Sequence, residues 1–112
     1  MQRYIIVKLD IEGVHKYPEA ENYLKNLHRH IFRIIVKKEV SHNNREIEII
    51  NFKKAIKNYL IIKYGVNKSY AYQYLKFGNM SCEDIAEKIL KQFNCTSVKV
   101  LEDNENGAEV TK

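Results

Sequence analysis

The chain has 112 residues, 45% of them hydrophobic and 29% charged, which is apolar material for one core and too little length for two ordinary domains. Its 19 Lys and Arg residues give a net charge of +5, but they are spread along the chain and offset by 14 acids, so no clustered basic stripe of the nucleic-acid-binding kind forms. No run approaches the ~18 to 20 apolar residues of a membrane span, the start Met1-Gln2-Arg3-Tyr4 has no signal-peptide pattern, and Cys82 and Cys95 build neither a disulfide framework nor a paired Cys-x-x-Cys zinc site. The expectation is one cytoplasmic domain over residues 1–112, without membrane or nucleic-acid partners.

From Tyr4 to Ile11 apolar residues alternate with polar ones, Ile5, Val7, Leu9 and Ile11 on one side and Lys8 and Asp10 on the other, which predicts a half-buried strand. Val14 to Leu27, with the single proline Pro18, reads as a long connection holding at most a helical turn. His28 to Val40 is rich in β-branched residues and predicts a second strand, with His28, His30, Phe32, Ile34 and Val36 facing one way and Arg29, Arg33 and Lys37 the other. Ser41-His42-Asn43-Asn44 has turn chemistry, so Glu46 to Ile50 is expected to return as a short strand.

Phe52, Ala55, Ile56, Tyr59 and Leu60 fall at helical spacing, with Lys53, Lys54 and Lys57 opposite, and Gly65 is a natural stop. The tyrosine-rich stretch from Tyr64 to Phe77 carries no clear period. Ser81 followed by Glu83 and Asp84 predicts an N-capped second helix whose apolar face is Ile85, Ala86, Ile89, Leu90 and Phe93. Ser97 to Glu102 alternates again, the segment from Asp103 to Gly107 is a turn, and Ala108 to Thr111 supplies a last strand. The order of elements describes an α+β domain in which an antiparallel sheet carries two helices on one face. Its open edges predict pairing between copies of the chain, hence a homo-oligomer.

His28 and His30 lie two apart on a strand, so both imidazoles point to one face, and His15 stands at the end of the neighbouring strand. Three such donors suit zinc, which takes imidazole nitrogen at ~2.0 to 2.1 Å and keeps a fourth, tetrahedral position open for water or a substrate oxygen, the layout of a catalytic site.

Laid along the chain, these segments resemble the 6-pyruvoyl- and 6-carboxytetrahydropterin synthases. Leu27-His28-Arg29-His30 is similar to the family's Leu-His-Gly-His, and Gly13-Val14-His15 to its Ala-Ala-His. Asn51-Phe52 stands where the family has Asp-Phe opening its first helix, and the segment from Asn79 to Ala86 resembles Asn-Pro-Thr-Ser-Glu-Asn-Ile-Ala. Val98-Lys99-Val100-Leu101-Glu102 is similar to the closing Val-x-Val-x-Glu. The resemblance runs from about Tyr4 to Val110. It implies the ββααββ tunnelling fold, a barrel of three subunits stacking into hexamers, zinc on His15, His28 and His30, and Glu102 as the anchor of a pterin ring. A carboxylate suits that role, since its two oxygens accept a ring N–H and an adjacent amino group together.

The departures are equally specific. The family's reactive cysteine would fall on Leu24 or Asn22. In a branch that uses glutamate instead, Glu19 and Glu21 are nearby, but neither matches in position. The family's Asp-His pair falls on Asn67-Lys68. No catalytic residue is assigned. The expectation is a zinc-binding protein for a pterin or purine-like ligand with little or no turnover; the alternative is an active zinc-dependent lyase of the 6-carboxytetrahydropterin synthase type, acting on dihydroneopterin triphosphate through a non-standard base such as Glu19, Glu21, His42 or Lys68.

Overall fold

The computed structural model describes the backbone of residues 1–69 and 72–112, and side chains outside 67–73. Strands β1 (Arg3–His15) and β2 (His28–Val40) pair antiparallel over their whole length, from Arg3 against Val40 to His15 against His28. A 3-10 turn, Tyr23–Lys25, interrupts the connection between them, capped by the Asn22 side chain accepting from Leu24 N–H. Helix α1 (Ile49–Tyr64) leads into β3 (Gly65–Ser69) and β4 (Tyr72–Gly78), α2 (Cys82–Phe93) follows, and β5 (Ser97–Glu102) and β6 (Asn106–Thr111) close the chain.

The six strands form one sheet in the order β3-β4-β1-β2-β5-β6. All neighbouring pairs are antiparallel except β1 and β4, which run parallel over a short register that sets Gly13 beside Leu75 and His15 beside Gly78. The predicted α+β class, with both helices on one face, is what the chain adopts, and the sheet is mixed where a wholly antiparallel one was expected. Alternation places Val7, Leu9, Ile11, Phe32, Ile34, Val36, Val98 and Val100 on the inner face, where they meet Ile56 and Leu60 of α1 and Ile85, Ala86 and Ile89 of α2 in one core.

The segment 46–50 is not a strand. Glu48 caps α1, its carboxylate accepting from the N–H groups of Ile50 and Asn51, so the helix opens at Ile49, ahead of the expected Asn51-Phe52. A return strand beside β2 has little free edge to join, because β1 and β5 flank it on its two sides. The Asn43-Asn44-Arg45 bend, with Arg45 at φ 49, turns the chain into the helix instead. Ala55, expected on the apolar stripe, is exposed. Gly65 does end α1, in an extended conformation with its N–H donating to the Ile61 carbonyl. Ser81 caps α2 as predicted, in a reciprocal capping box with Asp84. Among the described residues no helix is long and apolar enough to cross a membrane.

Candidate metal centre

The register builds the site. Because β1 and β2 pair end to end, His15 lies opposite His28, and His30 lies opposite Gly13 on the same face of the sheet. A Cβ at Gly13 would sit 2.9 Å from a Phe77 ring carbon and 3.0 Å from a Phe32 ring carbon, so a larger residue would require these two rings, packed beneath the histidines, to shift. On the other flank, β5 pairs with β2 so that Glu102 faces Phe32, which brings its carboxylate up beside His30. The parallel β1–β4 contact carries the chain past Gly78, at φ 65, and delivers Met80 and the start of α2 to His15.

Each imidazole is held through Nδ1. His15 Nδ1 lies 2.9 Å from the Met80 carbonyl oxygen, His28 Nδ1 2.9 Å from the Asn26 carbonyl oxygen, and His30 Nδ1 2.7 Å from Asp103 Oδ2. A carbonyl or carboxylate oxygen only accepts, so each Nδ1 carries a proton, and in the neutral imidazole each Nε2 then presents a lone pair. The three rings meet edge to face with centroids 4.5, 5.0 and 5.4 Å apart. One donor atom from each of His15, His28, His30 and Glu102 lies within 4.8 Å of every other, the only such group of metal-ligating side chains among the described residues.

His15 Nε2 is 2.7 Å and His30 Nε2 3.4 Å from Glu102 Oε2. With the Nδ1 protons placed as above, these are contacts between acceptors. Consistent with that, both Nε2 atoms are buried without a hydrogen-bond partner among the described residues. Such an arrangement is costly unless a proton on the imidazole or a bound cation stands between nitrogen and carboxylate. Imidazole nitrogen with one carboxylate oxygen is a donor set that suits zinc, and Met80, Asn26 and Asp103 fix the orientation of the three rings through their Nδ1 atoms.

Asp103 is the residue that sequence reading missed. It reads as a turn acid, and it does stand in a turn with φ 54, where Asp and Asn are tolerated. Its two oxygens divide between His30 Nδ1–H and Ile31 N–H, the latter at 2.9 Å. The hydrogen bond to His30, then that to Ile31, hold its carboxyl below the usual range, so it is ionised at neutral pH.

A cleft of about 610 Å³ opens on one side of the histidines, lined among others by His15, His28, Lys16, Tyr17, Cys82 and Glu102. That volume suits a small organic ligand. Cys82 is the thiol in this cleft. Burial pushes it up to about 12, with the charges of Glu102 and Glu83 and a hydrogen bond to Glu102 adding to the effect, so it is a protonated donor and no nucleophile. Cys95 is buried in the core.

Three of the other acid–base candidates, Glu19, Glu21 and His42, stand apart from the cluster. Glu19 and Glu21 are exposed in the connection after β1 and do not line the cleft. His42 follows the opposite end of β2, 3.5 Å from Glu46. The side chains of Asn67 and Lys68 lie outside the described residues. Arg29 points away from the histidines and pairs with Glu12, its Nε donating at 2.6 Å.

No protein-family model and no curated protein sequence matches the chain. Among solved structures it resembles 6-pyruvoyl tetrahydropterin synthase from Plasmodium falciparum, with a TM-score of 0.63 at 15% identity over 99% of this chain and 98% of that one. It also resembles the uncharacterized protein WS1659 from Wolinella succinogenes, with a TM-score of 0.59 at 15% identity over 100% and 99% of the two chains. At this identity the likeness establishes a shared fold over the whole chain.

Proposed function

We propose that the chain is a divalent-metal protein, with zinc the first candidate, that binds a pterin or purine-like ring in the cleft beside the metal and turns over dihydroneopterin triphosphate poorly or not at all. The observation that carries the metal is the convergence of three Nδ1-tethered imidazoles, two of them with buried, unpartnered Nε2 atoms. His15, His28 and His30 would hold the ion. Bound there, zinc would supply a Lewis acid toward an oxygen of a ligand in the cleft.

The ring assignment rests on Glu102. Its side chain is 29% exposed and lines the cleft, and an ionised carboxylate can accept a ring N–H and an exocyclic amino N–H as a bidentate pair. Weak turnover follows from what surrounds the site. Moving protons between side-chain carbons needs an acid and a base at hydrogen-bond distance. The cleft thiol is held protonated, and Glu19, Glu21 and His42 stand away from the cluster.

The sheet ends on β3 and β6. Edge-to-edge pairing of these strands between copies would give a trimeric barrel or stacked hexamer, the assembly the fold reading leads to. Two buried free thiols fit a reducing, cytoplasmic setting.

Calorimetric titration with pterin and with guanine tests the ring assignment. Wild-type protein should bind at least one of them, and Glu102→Gln should weaken that binding roughly tenfold or more, since hydrogen bonds to charged groups contribute ~1.5–3 kcal/mol. Absence of binding by the wild type would overturn it. So would turnover of dihydroneopterin triphosphate at a rate ordinary for a synthase, for the activity half.

A further inference from the structure

Glu102 is asked to do two things that use the same atoms. We propose that it is a displaceable fourth donor of the metal site, so that metal ligation and ring recognition compete for one carboxylate. This rests on the metal-and-ring reading above.

The first ground is register. Glu102 is the last residue of β5 and pairs with Phe32, so its side chain shares the face of His30 and is carried to the cluster by the sheet itself, with no loop rearrangement. The second is the direction of Oε2, which lies 2.7 Å from His15 Nε2 and 3.4 Å from His30 Nε2. A carboxylate anchoring only a ring in the cleft would not need one oxygen this close to two imidazole Nε2 atoms. An oxygen set among the imidazole nitrogens is placed to serve as a fourth donor, and all four donor atoms fall within 4.8 Å of one another. Three histidines alone leave a zinc position open, whereas three histidines and this carboxylate close it.

The third ground is that Glu102 is free to leave. It is partly exposed and lines the cleft together with Cys82 at the start of α2. A ring presenting two adjacent N–H groups needs both carboxylate oxygens. Ring binding therefore draws Oε2 from the metal and opens a coordination position only when the cleft is filled. Metal and ring then weaken each other's binding by one common factor, because coupling between two equilibria is reciprocal.

Cobalt(II) in place of zinc, in the full chain, makes the coordination visible. Cobalt-loaded wild type should keep its visible spectrum when azide is added, whereas cobalt-loaded Glu102→Gln should change. In calorimetry, zinc-loaded wild type should bind pterin more weakly than metal-free wild type, by a factor within the roughly 5- to 150-fold range of such couplings. Pterin should lower zinc affinity by the same factor, and in Glu102→Gln the factor should fall to about one. An azide response in wild type without pterin, or pterin affinity indifferent to zinc, overturns the proposal while leaving the metal and the ring in place. Failure of wild type to bind zinc or pterin at all would overturn the underlying reading and the proposal with it. Should circular dichroism show Glu102→Gln unfolded, the wild-type arms decide alone.

Discussion

Replacing Asp103 by asparagine should cost metal affinity without costing the fold. Asp103 accepts two hydrogen bonds, from His30 Nδ1–H at 2.7 Å and from Ile31 N–H at 2.9 Å. Asparagine keeps the left-handed backbone at φ 54 but offers only one side-chain oxygen. If that oxygen stays on Ile31, the amide N–H₂ faces His30 Nδ1 and favours the tautomer with the proton on Nε2, which removes the lone pair aimed at the metal. Loss of such an orienting partner typically lowers metal affinity about 10- to 100-fold, which is ~1.4 to 2.7 kcal/mol. Zinc affinity is read by competition with a chromophoric chelator, and the tautomer by ¹⁵N chemical shifts of the imidazole in metal-free protein. Aspartate-like affinity in the variant, or a His30 ring that keeps its proton on Nδ1, would refute the tautomer argument.

Three further outcomes follow from the same structure. Leu60 is fully buried between α1 and the sheet, so Leu60→Ala should lose ~2–5 kcal/mol in denaturant unfolding while zinc stoichiometry is unchanged. Cys95 is fully buried and the Cys82 thiol is pushed up to about 12, so a thiol reagent at neutral pH should titrate neither until denaturant is added; rapid modification of metal-free protein would contradict the account of the cleft. Light scattering should find a trimer or hexamer, and a strict monomer at micromolar concentration would sink the edge-pairing argument.

What the sequence made legible was what periodicity and capping govern. Alternation located β1, β2 and β5, the Ser81–Asp84 capping box located α2, and the two-residue spacing of His28 and His30 put both rings on one face. The β3–β4 strand pair escaped because its aromatic-rich segment has no obvious period, although Leu75 and Phe77 are buried about an exposed Lys76. Without β4, the parallel contact that brings Met80 to His15 had no basis in the sequence. Segment 46–50 went wrong because β-branched Ile47, Ile49 and Ile50 favour a strand locally, and the Glu48 cap overrides that preference. Asp103 and Cys82 escaped for a common reason: each looks ordinary in its own element, and only the folded register sets it against the cluster.

Metal content of purified, zinc-reconstituted and dialysed protein, measured beside His28→Ala and His30→Ala, tests the central claim most directly. About one zinc per chain in the wild type, and little or none in either variant with the circular dichroism spectrum retained, is the outcome the three converging imidazoles predict. Far less than one equivalent in the wild type, or equal zinc in wild type and variants, would contradict it.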